Sequence, residues 1–485
     1  MKIMERVKHM IRSWLEIQPA IGVGLTIKEP VSFETNVLRN RIWYRGDASE
    51  LDQLFKQLSE DAVGRARFWA AAPQKQSIRK AHSGLPGVMV ETLMAVVKAD
   101  MGDVEFREEH AAAVWEAIAR ENDFAALVGQ AVSDTLVTGD GAFKVSIDEE
   151  ISGRPILEFW GADSVEYVRR HGRIQEIHFL SPVGEKGRML KEIYSPGEVR
   201  YVLMDGEKEL LLDAEESTAD LKPVTFAGDF MLAVPLQFWP SSRWRGRGQS
   251  IYDKKTDCFD GHYEVISQWR DAVRAGRVQR YIPESLIPHN PENGSLAMPD
   301  GFGSQFVKTA PSNKENAQDK IDVIQPEIRY EAFLASYTAT LDMCLQGIMS
   351  PATLGIDLGK MSSAEAQREK KDVTGITRNA ITDALEKALP QLVQVALAAQ
   401  DLLDGKNPST YEATVSFGEY GAPSFDSRVQ TVGSAAGSGV MSVEAQVDEL
   451  WGASKDDEWK AQEVARIRFE RGIEEFPEPD VGTGV

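Results

Sequence analysis

The chain has 485 residues, 42% of them hydrophobic, with a formal net charge of −21 and a pI near 4.9. This length and composition predict about two to four structural units around a real core and exclude a globally disordered chain. An acidic chain repels nucleic acid, so any DNA contact is local or weak.

The first segment, MKIMERVKHMIRSWLEIQ, spreads charges among Ile3, Val7, Met10, Ile11, Trp14 and Leu15. This is an amphipathic helix that packs on the body or on a neighbouring subunit, not a signal-peptide core. No apolar run approaches the ~20 residues of a membrane span. Residues 1 to about 245 read as a mixed α/β body of the α+β class, an antiparallel meander on helices. In GDASELDQLFKQLSEDA, Ser49 is the expected N-cap, and Leu51, Leu54, Phe55 and Leu58 share a face. GVMVETLMAVVKADMG is a buried segment, strand or helix. Glu108 to Val137 is helical by pattern and ends at the turn Thr138-Gly139-Asp140-Gly141. Strands are expected at AFKVSID, ILEFWGA, SVEYVRRHG, IQEIHFLSP, EIYSPGEVRYVLMDG and KELLLD.

From Gly246 to Gly405 the order of elements carries most information. An amphipathic helix runs from about Ser250 to Ala275. An insert rich in Pro and Gly follows, 276–327, framed by the strands RVQRYI and KIDVIQ. A second helix spans Ile328 to Ile348. The loop SPATLGIDLGKM then leads into a long helix from Ser362 to about Leu403, with Ser362 and Glu365 as a capping box and a kink expected at Pro390. In the second helix Leu334, Tyr337, Leu341, Cys344 and Ile348 are spaced 3, 4, 3, 4, an a/d seam. The first helix has an apolar stripe wide enough for more than one neighbour. Two helices that leave a body, carry a β tip and return suit a spoke in a ring. An ordinary helical hairpin in a monomeric core fits the same periodicity. From Gly405 the tail carries one strand, YEATVSFG, then small helices; residues 400–485 hold 17 acidic and 7 basic residues, a net of −10.

Phosphate-loop, H-E-x-x-H, G-x-S-x-G and G-x-G-x-x-G motifs are missing, and the seven histidines are scattered. No catalytic residue, metal ligand or cofactor is assigned, and the chain is read as a non-enzyme. His262, on the apolar face of the first helix, is expected to be a satisfied interface residue. Cys258 and Cys344 fall on core-facing helical positions and read as free thiols in a reducing cytosol. From Pro240 to Arg280 there are nine basic and five acidic residues, a local net of +4. Arg243, Arg245, Arg247, Lys254, Lys255, Arg270, Arg274, Arg277 and Arg280 serve either ion pairing between subunits, sparse phosphate contact, or docking of an acidic partner.

NVLRNRIWYRGDASELDQLFKQL, LPGVMVETLMAVV, the helix–insert–helix unit, SSAEAQREKKD and GSGVMSVEAQVDELWG together resemble the portal proteins of tailed bacteriophages, of the siphophage-like kind. The resemblance covers essentially the whole chain, and NRIWYRGDASEL is its most specific stretch. It implies a ring, typically a dodecamer, at one capsid vertex of the virion, assembled in the host bacterial cytoplasm. Residues 1–249 with the long helix and return strand (362–424) would be the wing. Residues 250–275 and 328–349 would be the stem, 276–327 the clip, 350–361 the tunnel loop and 425–485 the crown. Thr353, Leu354, Gly355, Ile356, Asp357, Leu358, Gly359 and Lys360 would face DNA, with Lys254, Lys255, Arg270 and Arg274 as channel cations. Arg277, Arg280, Pro288, Asn290 and Phe302 would dock the packaging motor. The implied partners are sequence-independent double-stranded DNA, the terminase large subunit, the major capsid and scaffolding proteins and a head-completion adaptor, with no membrane. The tunnel loop departs from the pattern in being short and lightly charged. Two other classes remain: a ring-forming head–tail adaptor or capsid protein that conducts no DNA, and an enzyme with a helical insertion.

Overall fold

The computed structural model describes residues 31–58, 68–69, 78–184, 187–283, 286–287, 289, 294, 305–309, 320–356, 364–418, 425–452 and 455–472. The amphipathic segment at residues 1–18, Ser362 and the side chain of Glu365, its partner in the expected capping box, lie outside what is described. The fold is α+β, and the chain divides into two units, up to Phe417 and from Gly418 onward.

The first unit begins with α1 (Phe33–Arg45), capped by the Ser32 hydroxyl, which accepts from the Thr35 amide, and closed by Gly46 at φ 76°. Helix α2 (Ala48–Leu58) starts one residue before the expected cap. Asp47 performs that role, its carboxylate accepting from both the amide and the hydroxyl of Ser49 at 2.7 Å, because a carboxylate outcompetes a hydroxyl for the orphan first-turn amides. The segment left open between strand and helix is α3 (Leu85–Ala99), with Pro86 in its first turn and Met89, Val90, Leu93 and Val97 buried. Strand β1 (Met101–Phe106) follows at a place where no strand was expected.

The single helix expected over 108–137 is two, α4 (Glu109–Glu121) and α5 (Phe124–Thr138). The break is chemical. Asn122 turns its side chain back to donate to the Ile118 and Pro155 carbonyls, and Asp123 takes the left-handed conformation at φ 43°.

Strands β2 (Asp140–Ser146), β3 (Ile156–Gly161) and β10 (Ala233–Gln237) form an antiparallel sheet in the order β10-β2-β3, and α5 packs on it. The meander is β4 (Val165–Arg170), β5 (Arg173–Val183), β6 (Arg188–Ser195), β7 (Glu198–Asp205) and β8 (Lys208–Leu210), with β9 (Val224–Thr225) pairing β7. EIYSPGEVRYVLMDG, expected as one strand, is β6 and β7 joined by a hairpin turn at Pro196-Gly197. Alternation places Ile177, Phe179, Tyr194, Val199 and Leu203 on the core face. On the other face Lys191 reaches Glu166 at 2.8 Å and Arg200 reaches Glu176 at 3.1 Å.

The long helix, α8 (Ala364–Leu403), contains Pro390. Ile381, Leu385, Leu389, Leu392, Val393, Ala396 and Leu397 are buried along it, and it packs on β10 and on β14 (Ala413–Phe417). Strand β14 closes the unit by pairing antiparallel with β1. The second unit holds three helices, α9 (Phe425–Gly437), α10 (Val443–Trp451) and α11 (Asp457–Glu470), the last two capped by Ser442 and Asp456. Its core is thin: Val432, Val443 and Val447 are the buried apolar side chains among the residues described there.

Candidate functional site

The helix expected from about Ser250 begins at Thr256, as α6 (Thr256–Ala275). Residues 250–255 are instead a turn bonded to the body. The Ser250 hydroxyl donates to the Leu136 carbonyl, and Asp253 accepts from Asn36, Asn40 and the Ser250 amide. Side chains that bond into the body hold this backbone out of the helix. Helix α7 (Tyr330–Leu345) is shorter than the expected 328–348 at both ends.

The two helices run antiparallel, as their contacts show in order. The Lys255 ammonium donates to the Met343 carbonyl at 2.8 Å, His262 meets Thr340 and Tyr337, Trp269 stacks on Phe333 at 6.1 Å, and Gly276 packs under Ile328. A Cβ at Gly276 would lie 2.7 Å from the Ile328 side chain, so glycine permits the close crossing. His262 is a satisfied residue between helices of its own chain. The Thr340 hydroxyl donates to the Ser336 carbonyl, so His262 donates from Nδ1 to Thr340 Oγ1 at 2.9 Å. Burial depresses its pKa to about 4. Cys344 is buried and its thiol is pushed up to about 12, by burial first and then by Cys258, which leaves it chemically inert.

Burial runs out along this pair. At the body end, Phe259 and Tyr263 of α6 pack on Trp43, which also meets Phe55 and Trp69. Leu341, Cys344 and Ile348 are buried there as well. Tyr337 is half-buried between His262 and Trp269. Beyond it Trp269 and Phe333 still pair the helices, but apolar side chains beside that contact are open: Leu334 is 50% exposed, Tyr330 61% and Val273 52%. The five seam residues therefore divide, four against their own chain and Leu334 facing outward.

The insert is a three-stranded sheet in the order β12-β11-β13, from β11 (Gln279–Pro283), β12 (Gln305–Thr309) and β13 (Asp322–Ile324). Strand β12 was not expected from the sequence, and it pairs parallel to β11. Val307, Val323 and Ile324 are exposed on it. Arg277 and Arg280 are exposed at its base, each with an interaction of its own. Pro288, Asn290 and Phe302 lie outside the described residues.

The loop after α7 is fixed at its first half. Ser350 caps a short 3-10 turn, Pro351–Leu354, and its amide donates to Thr374 Oγ1, which also meets the Thr353 hydroxyl at 3.0 Å. Leu354 and Ile356 pack against the core, and Gly355 takes φ 70°. Asp357, Leu358, Gly359 and Lys360 lie outside the described residues.

Lys254, Arg270 and Arg274 are exposed on or beside α6, whereas Lys255 is bound to the Met343 carbonyl. Arg247 has a use that none of its expected roles contained. Its guanidinium pairs with the buried Asp140 at 2.8 Å, donates to the Val165 and Ala162 carbonyls, and covers the Phe33 ring at 4.1 Å. It is a clamp between the body and the start of the helix pair. Among the described residues no group of three His, Cys, Asp or Glu side chains is placed to hold a metal, and no helix is long and apolar enough to cross a membrane.

No family model matches the chain, and no curated protein matches it. Solved structures with partial likeness include a chain titled for the neck of an empty GTA particle computed with C6 symmetry, 13% identical with a TM-score of 0.41 over 72% of this chain and 86% of that one. A chain from the neck of a native GTA particle computed with C12 symmetry is 12% identical, TM-score 0.42, over 75% and 89%. One from the virion of a native gene transfer agent particle is 11% identical, TM-score 0.39, over 92% and 96%. At these values the role of the chain rests on its own residues.

Proposed function

We propose that this protein is the subunit of a portal ring, a structural component of a phage-like particle through which double-stranded DNA is packaged and ejected. In this reading α6 and α7 are the stem, the insert is the clip that receives the packaging motor and later the head-completion proteins, the body with α8 is the wing, and the second unit is the crown. The observation that carries the proposal is the antiparallel pair whose apolar side chains are covered at the body end and, beyond Tyr337, left exposed beside the Trp269–Phe333 contact. A monomer gains nothing from holding Leu334, Tyr330 and Val273 in water. Side-by-side copies of the pair would cover them, at ~25 cal/mol per Å² of apolar surface removed.

The charge fits the same reading. A chain of net −21 does not hold phosphates, and exposed Lys254, Arg270 and Arg274 supply sparse transient contacts to DNA moving past. Electron microscopy of the purified protein tests it. A closed ring with a hole wide enough for a duplex, roughly 20 Å, is the expected result. A ring with a narrower hole would favour an adaptor that conducts no DNA, and a compact monomer would overturn both.

A further inference from the structure

Five arginines stand together on the first unit with no acid to answer them. Arg169, Arg170 and Arg173 lie at the tip of the β4–β5 hairpin, whose turn residues His171 and Gly172 take φ 50° and 81°. Arg170 and Arg173 face each other across the strands, a like-charge pair that costs stability. Arg243 and Arg245 lie on the 240–248 loop. The two segments touch, since a Cβ added at Gly246 would lie 3.2 Å from Arg169 Cδ and Nε. All five side chains are on exposed residues, and among the described residues none of them forms an ion pair. The acids of the same strands are taken elsewhere, Glu166 by Lys191 and Glu176 by Arg200. Arg169 also feels the buried Asp140, but Arg247 already holds that carboxylate.

Arg169 also lines an open groove of about 520 Å³ between β10 and α8. Its apolar walls are Ile174, Pro235 and Phe238 on the sheet side and Ala380, Ala384 and Ala388 on the helix side. Its charged residues are Arg169 and Lys387 against Asp383. Ile376, one turn before Ala380 on the same helical face, is 70% exposed. The helix face from Ala380 to Gln391 is about 17 Å long, the length of about five residues of extended chain.

We propose that the groove and the arginines together dock a short segment of a partner protein that carries carboxylates beside apolar side chains. The apolar side chains seat between β10 and α8, and the carboxylates take the guanidinium forks. Charge selects an anion, because the five arginines and Lys387 face Asp383 alone among the residues that line the groove. The groove selects a protein. Duplex DNA presents phosphates but no apolar side chains to fill a trough, so nothing offsets its repulsion by a chain of net −21. A short acidic segment gains from apolar burial, and acids of this chain more than about 10 Å away are screened from it. The arginines are partly pre-ordered: Arg169 lies over the Tyr167 ring at 5.4 Å and Arg243 over Trp244 at 6.0 Å. Less side-chain freedom is then lost on binding.

Fluorescence anisotropy on the full-length protein tests this, with a labelled ten-residue peptide of alternating glutamate and leucine as the probe. The peptide is expected to bind saturably, and Arg170→Ala with Arg173→Ala to weaken it about tenfold. Both positions are exposed, so the Tm should hold or rise as the like-charge pair is removed. Ala384→Glu, which puts a carboxylate in the groove, should weaken the probe at least as much. A glutamate–serine peptide should bind at least about tenfold more weakly than the glutamate–leucine one. Arg170→Glu with Arg173→Glu should transfer the preference to a lysine–leucine peptide. Lack of saturable binding below about 1 mM, or equal binding by the parent and the arginine variants, overturns the proposal. Equal binding of the glutamate–serine peptide would take the groove out of the site and overturn it too. Tighter binding of a short duplex DNA, lost in the same variants, would make the patch a phosphate site instead. Self-association in sedimentation that the same substitutions abolish would give the surface to a second copy, and the partner assignment would fall. None of these readouts depends on ring formation, so this proposal and the portal reading fail separately.

Discussion

Arg247 stands in a basic run that charge alone would assign to a ligand or a subunit interface, yet its guanidinium is spent inside the protein. Asp140 is fully buried, and with the arginine gone its carboxylate would keep only the Gly248 amide. Arg247→Met should therefore cost about 3–5 kcal/mol, seen as a lowered Tm, whereas Arg243→Ala, at an exposed position, should change stability by less than about 0.5 kcal/mol. Equal effects would remove the clamp. The buried histidines make a second prediction. Burial lowers both His82 and His262 to about 4, below the ordinary 6.5. The folded state binds these protons more weakly than the unfolded chain, so the stability they contribute is complete above about pH 6.5 and is lost as pH falls from there towards 4. The urea midpoint should fall between about pH 7.5 and pH 5, and His262→Gln should flatten that slope. A midpoint independent of pH in both proteins would contradict the assignment.

At the scale of elements, α6 and α7 separate two effects that a single seam would conflate. Leu341 is buried in its own chain, so Leu341→Asp should unfold the protein or lower its Tm severely, with a cost of several kcal/mol. Leu334 occupies the same seam two turns away and is half exposed. Leu334→Asp should leave the Tm within about one kcal/mol equivalent of the parent and abolish ring assembly in sedimentation. Intact rings for that variant would show that the open half of the seam is not the assembly surface. The insert makes a parallel case. β12 begins at Gln305 and is part of the tip sheet, so replacement of residues 288–304 by a short Gly-Ser linker spares all three strands. Rings should still form, and DNA packaging should stop. Normal packaging would take the motor-docking role away from the insert.

At the scale of the molecule, the acidic chain and the exposed cations on or beside α6 predict weak, salt-sensitive contact with DNA. Replacing Lys254, Arg270 and Arg274 together with Ala should leave ring formation unchanged, since none of them packs in the helix pair. DNA retention in filled particles should fall. Unchanged retention would leave those residues without a DNA role. The second unit carries most of its charge outside its thin core, and its ion pairs, such as Lys460–Asp448 at 3.1 Å, are screened by solvent and add little to its stability.

The sequence by itself determined the local elements. Apolar spacing marked α6, α7 and α8, alternation with turn residues marked the meander, and glycine-containing turns set its hairpins. Those signals lie within a few residues of one another, where propensity and periodicity act. Tertiary structure decided what depends on distant partners. Strand β1 exists because β14, some 300 residues later, pairs with it. Asp253 and Ser250 hold back the start of α6 by bonding into the body, and Asn122 breaks the helix over 108–137 by reaching Pro155. Arg247 finds Asp140 at a separation of 107 residues. Leu334 and Leu341 carry the same sequence signature, and only the point where the body ends leaves one in water and buries the other. Periodicity reports that a face is apolar; which neighbour covers it is settled by the packing of the whole chain.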